Sequence, residues 1–299
     1  TDGESPLRIQ GWIMTHLNDQ ILMACLLEAT AAKPGNVHPT ASFSDMTYSD
    51  LVRSARAVSG ILAETGHCGI GPTVLAAVKA TASVTSSNTN LGIILLLAPL
   101  AAIPNGTSLQ EGISDVLERL DSHDTECVYN AIRIARPGGL GTSDEHDVAD
   151  RPDVSLMIAM ESAAHRDAVA AAYHDHFKQV LKWSHTGLAG GESFVTNWEQ
   201  QVVGLALKIQ AECPDTLIAR KCGTATAVES SRRAQEVLDS GWPDGHDAGM
   251  ALLKFDDWLR ADQHRRNPGT TADLVTAALF AALREKRIVA PPLDSLPLT

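Results

Sequence analysis

The stretch LGIILLLAPLAA, from Leu91 to Ala102, constrains the fold more than any other part of the chain. It is apolar on every side, and a helix without a polar face has to be surrounded by other elements. At 12 residues it is also too short to cross the hydrocarbon layer of a bilayer. It therefore belongs at the centre of a packed protein. The neighbouring segments show what surrounds it. Leu51, Ala55, Val58 and Leu62 fall at helical spacing, as do Met250 with Leu253, and Leu274, Val275, Ala278, Leu279 and Ala282. Alternating apolar and polar runs, the mark of a half-buried strand, are nearly absent. The expectation is an all-α fold, a bundle of about ten helices around the Leu91–Ala102 spine, with Pro99 kinking or ending that spine. Breaks at Gly71-Pro72, Gly138-Gly139 and Gly190-Gly191 read as helix boundaries. The polar segment 142–153 reads as an exposed loop within a single domain covering residues 1–299.

Charge and cysteine usage narrow the setting. A net charge of -12 argues against a general nucleic-acid binder, which needs basic patches for the phosphate backbone. It leaves room for one phosphorylated small molecule in a local basic pocket. No membrane partner is expected. The segment TDGESPLRIQ is polar and acidic, unlike a secretory signal. The five cysteines (Cys25, Cys68, Cys127, Cys213 and Cys222) are scattered and form no CxxC pair. That pattern supports neither a disulfide framework nor a zinc knuckle, and a cytoplasmic protein is expected. A homo-oligomer is left open. His174 and His176 are two residues apart, so on a helix they do not share a face, and with His185 they are read as surface or supporting residues.

Four polar interruptions carry the chemistry. In KPGNVHP, Pro34 disfavours the α region for Lys33 and should end the preceding helix near Ala32. Gly35 can turn with φ > 0, so Lys33, Gly35 and Asn36 form an amide-rich corner suited to a phosphate. A plain helix stop with a solvated lysine is the alternative. Glu28, in the otherwise apolar ILMACLLEATAA, is costly to bury unless it is paired or holds a metal. Asp45 reads either as an N-cap or first-turn acid, or, with Glu28, as a carboxylate for Mg²⁺, which takes one or two carboxylates plus phosphate oxygens.

The second interruption, SSNTN, leads directly into the spine. One residue should cap the helix; the others, with Asn88, Thr89 and Asn90 foremost, point to a ligand pocket at a helix N-terminus. In DTLIARKCG, Arg220 and Lys221 precede Gly223 and a helix expected to resume at Ala227, which reads as a phosphate clamp or as a solvated loop. In NPGTTADL, Thr270 or Thr271 should cap the last helix, with Asp273 in its first turn.

Taken in order, EATAAKPGNVH, ASFSDM, SSNTNLG, DTLIARKCG and NPGTTADL resemble the motifs of the triphosphoribosyl-dephospho-CoA synthase family. The resemblance runs from Glu28 to Leu274. It implies an all-helical fold and a transferase using MgATP and a dephospho-CoA-like acceptor. In that reaction the acceptor's 2′-hydroxyl attacks C1′ of the ATP ribose and expels adenine. Lys33, Asp45, Asn88, Thr89, Asp215 and Arg220 stand at family motif positions. By the same resemblance Lys33, Arg220 and Lys221 would hold phosphates, and Asp45 or Glu28 would take the hydroxyl proton or hold Mg²⁺. Phe43, His38 and Asn90-Leu91 differ from the family's His, Asp and His-Lys. Two further readings stay open: a ligase or hydrolase of a nucleotide or pterin-type cofactor precursor, and a nucleotide-binding protein without turnover.

Overall fold

A computed structural model describes residues 16–138 and 148–298. The segment 1–10, Gly139 and residues 142–147 of the polar segment lie outside the described residues. Fifteen α-helices and no β-sheet occur among them. The first seven are α1 (Leu17–Thr30), α2 (Tyr48–Ala63), α3 (Thr65–Cys68), α4 (Ile70–Val84), α5 (Leu91–Ala102), α6 (Leu109–Glu118) and α7 (Ser122–Ala135). After these come α8 (Leu156–Ala163), α9 (Ala168–His174), α10 (Lys178–Thr186), α11 (Glu192–Glu212), α12 (Thr216–Cys222), α13 (Thr224–Asp239), α14 (Ala248–Arg260) and α15 (Gly269–Arg284). The count exceeds ten because several are only one or two turns long, too short to show a period in sequence.

The apolar spine is α5, with the bounds its composition predicts. It packs against α2, α3, α4, α6, α9 and α15. Pro99 does not end it: the helix runs on to Ala102. Proline at 99 has no N–H to offer the carbonyl of Leu95, four residues back. That carbonyl instead accepts a hydrogen bond from the fully buried Tyr173 hydroxyl at 2.7 Å. A side chain from α9 thus replaces the lost backbone bond.

Gly71-Pro72 lies in the first turn of α4, and Gly190-Gly191 immediately precedes α11, as expected. The helical spacing in the last third needs one correction. Met250 and Leu253 of α14 are 57% and 58% exposed, while Ala248, Phe255 and Leu259 face the core. No described helix is long and apolar enough to cross a membrane. All five cysteines are free.

Candidate active site

The N-terminal end of α5 opens into a cleft of about 710 Å³. The SSNTN stretch forms one wall, and its side chains are held from several directions. Asn90 is the N-cap of α5 without a side-chain cap bond, and Asn88 Oδ1 instead accepts from the Leu91 amide at 3.2 Å. Thr89 donates to Ser54 Oγ of α2 at 2.6 Å, and Ser87 donates to the Asp45 carbonyl at 2.6 Å. Asn90 accepts from Thr81 of α4 at 3.0 Å, but its buried Nδ2 has no partner among the described residues. Most of the five polar groups therefore answer to the protein, and Asn90 retains a donor for something else.

The corner at residues 33–36 behaves differently from its expectation. α1 ends at Thr30 and Gly35 takes φ +74°, as the Pro-Gly pair requires. Lys33, however, is only 1% exposed, and its Nζ lies 2.9 Å from Glu28 Oε1 while also donating to the Glu28 carbonyl. The solvated-lysine alternative is excluded. The Gly35 amide donates to Asp256 at 2.7 Å rather than facing a cavity, and a Cβ at Gly35 would stand 2.8 Å from Leu259. Asn36 donates to Asn267 at 2.9 Å. The corner is fastened to α14 and to the turn before α15.

Asp45 caps no helix. Thr47 is the N-cap of α2 and Asp50 completes the capping box, because Thr47 has an acid three residues on. Asp45 is thereby left exposed on the cleft wall. DTLIARKCG is helix α12 rather than a loop, and the next helix starts at Thr224, not Ala227. Asp215 is its N-cap, accepting from Leu217 and Ile218 amides at 2.9 Å each, and from the Thr271 amide and hydroxyl at 2.7 and 2.8 Å. Neither Thr270 nor Thr271 caps α15, because that helix starts at Gly269 and both lie within its first turn. Arg220 and Lys221 occupy the last turn of α12. Arg220 pairs with Asp167, the N-cap of α9, at 2.6 Å.

Of the sequence-derived residues, Glu28, Asn36, Asp45, Asn88, Thr89, Asn90, Arg220 and Lys221 line this one cleft. Lys33, Gly35, Asp215 and Gly223 are not among its lining residues. Three charged residues that sequence reasoning left out also line it, Arg136, Arg166 and Asp167, as does Asp273, expected only as a helix-start acid. Arg136 and Lys221 have no ion-pair partner among the described residues, so two cations in the cleft are not engaged by acids there.

Asp273 had a signal, since it is the acid of the ADL motif. It stands one residue beyond the first turn of α15 and projects onto the spine. A Cβ at Gly92 would lie 2.1 Å from Asp273 Oδ2, so only glycine lets the carboxyl sit there. Burial, with repulsion from Glu28, Asp215 and Asp167, pushes Asp273 well above the usual carboxylate range. Phe43, where the family motif has histidine, also lines the cleft and stacks on His264 with ring centroids 4.1 Å apart.

The cleft thus brings cations and carboxyl groups together at the tip of a buried helix. The family model for ATP:dephospho-CoA triphosphoribosyl transferase, CitG, matches residues 14–291. The chain belongs to this family. It is a transferase of the CitG kind, and the all-helical fold agrees with that membership. A crystal structure from Archaeoglobus fulgidus, to which triphosphoribosyl-dephospho-CoA synthase activity is ascribed, is similar at 26% identity with a TM-score of 0.62. The match covers 78% of this chain and 98% of that one. No curated protein matches the chain by sequence.

Proposed function

We propose that the cleft holds MgATP and a dephospho-CoA-like acceptor side by side, and transfers the triphosphoribosyl group to an acceptor hydroxyl with release of adenine. The observation that carries this reading is the convergence of three separate chain segments on one cleft. The SSNTN wall, the α12 cations and Arg136 at the end of α7 all face it. Its volume falls in the range of small-molecule sites. A ribosyl centre losing its base passes through a cationic state, so the protein chiefly positions two partners and arranges charge around them.

Lys221 and Arg136 have no ion-pair partner among the described residues, and they serve as the phosphate contacts. Arg220 is held by Asp167 and presents an Nε that lacks a partner. The Asn90 Nδ2 adds a neutral donor. The described residues contain no group of three or more His, Cys, Asp or Glu side chains able to hold a metal. Mg²⁺ therefore arrives with the nucleotide, where phosphate oxygens and water fill most of its sites. Asp45, exposed and without an ion-pair partner among the described residues, fits one carboxylate contact to it. Glu28 is committed to Lys33 and fits a proton acceptor better than a metal ligand. Lys33 then acts through Glu28 and not on the phosphates. Five free cysteines suit a reducing compartment, and we place the reaction in the cytoplasm.

Calorimetric titration with MgATP tests the placement. Lys221→Ala should raise the dissociation constant roughly ten- to a hundred-fold, since a charge-assisted contact is worth about 1.5–3 kcal/mol. Lys254→Ala, on the exposed side of α14, should leave it unchanged. Equal affinity in wild type and Lys221→Ala would take the nucleotide out of this cleft.

A further inference from the structure

Glu28 and Asp273 line the same cleft in opposite surroundings. Glu28 is an ion-paired carboxylate, 2.9 Å from the buried Lys33 ammonium. Asp273 has no hydrogen-bond or ion-pair partner among the described residues, and Gly92 lets it press against the start of the spine. The charged groups facing it are Glu28 from α1, Asp167 at the start of α9, Asp215 at the start of α12 and Arg220 from α12. Three are acids. Arg220, the one cation, is already engaged by Asp167 at 2.6 Å. Two carboxyl groups with environments that differ in this way divide into an acid and a base.

We infer that Asp273 is the acid that protonates the departing adenine, and that Glu28 is the base that receives the acceptor hydroxyl's proton. The inference rests on the transfer reading above and assigns its proton path. The C1′–N9 bond breaks, and its electron pair stays on adenine. Adenine takes the Asp273 proton on a ring nitrogen and leaves neutral. The hydroxyl oxygen bonds to C1′, and its proton passes to the Glu28 carboxylate. Return of one proton from Glu28 to Asp273 restores both groups. Burial and the neighbouring acids favour the protonated form of Asp273. Because it is the protonated form of Asp273 that works, the acid's contribution is lost as pH rises through that raised value.

A donor that needs no acid isolates the step. An N7-methylated purine nucleoside triphosphate already carries a cationic base and leaves without further protonation. Asp273→Asn should lower kcat with ATP by about 10²- to 10⁴-fold, the usual contribution of general acid catalysis, with KM little changed. With the N7-methylated donor the same variant should lose less than about tenfold. The wild-type enzyme should show an alkaline fall in kcat with ATP that is absent with the methylated donor, a readout that needs no variant. Equal losses with both donors, or an alkaline fall common to both, would overturn the acid role. If wild type releases no adenine from ATP with any acceptor, the transfer reading fails instead.

Discussion

Replacing Lys33 by alanine should lower the unfolding free energy by about 3–5 kcal/mol, the cost of leaving one partner of a buried ion pair without the other. Lys33 is 1% exposed and Glu28 is 6% exposed, so the orphaned Glu28 carboxylate keeps little access to water. The ammonium also bonds the Glu28 carbonyl at the end of α1, so the corner at Gly35 would loosen as well. An exposed lysine would change stability by no more than about 0.5 kcal/mol. Adding Glu28→Gln to Lys33→Ala removes the unpaired charge and should recover a large part of the loss. Urea unfolding of the two single variants and the double variant reads the coupling directly. Additive losses would mean that the two groups do not pair.

Asp215→Ala should cost about 3–4 kcal/mol through a different mechanism. One carboxylate caps α12 through two amides and ties it to the amide and hydroxyl of Thr271 at the start of α15. Losing an N-cap costs about 0.5–2 kcal/mol, and losing hydrogen bonds to a charged acceptor adds about 1.5–3. Because α12 carries Arg220 and Lys221, the same change should weaken MgATP binding although Asp215 does not line the cleft. Asp215→Asn should retain most of the cap, since asparagine is an equally good N-cap residue. Denaturant unfolding and nucleotide titration of the same variants check both parts. A stable Asp215→Ala protein with unchanged nucleotide affinity would show that α12 needs no such anchor.

What the sequence reveals about this molecule follows from how local each signal is. The α5 bounds were legible because an all-apolar run flanked by SSNTN and Ile103-Pro104 leaves few alternatives. The positive φ of Gly35 was legible for the same reason. Pro99 misled because the bond that rescues the spine comes from Tyr173, 78 residues away. Lys33 reads as a phosphate contact because its partner, Glu28, lies five residues back on the preceding helix, and no local pattern records that the two pair. The helix α12 was read as a loop because its seven residues complete less than two turns and end in two cations. Asp273 resembled an ordinary helix-start acid. Its closeness to Gly92 depends on how α15 crosses α5, which no short-range pattern records.

The chemical fate of both substrates tests the central claim most directly. The protein should be incubated with MgATP and dephospho-CoA, and the acceptor's intact mass followed together with free adenine. The account predicts that the acceptor gains one complete triphosphoribosyl group, with one adenine released per product and no ADP or AMP formed. An acceptor that gains a single phosphate with release of ADP, or an adenylyl group with release of diphosphate, would contradict it.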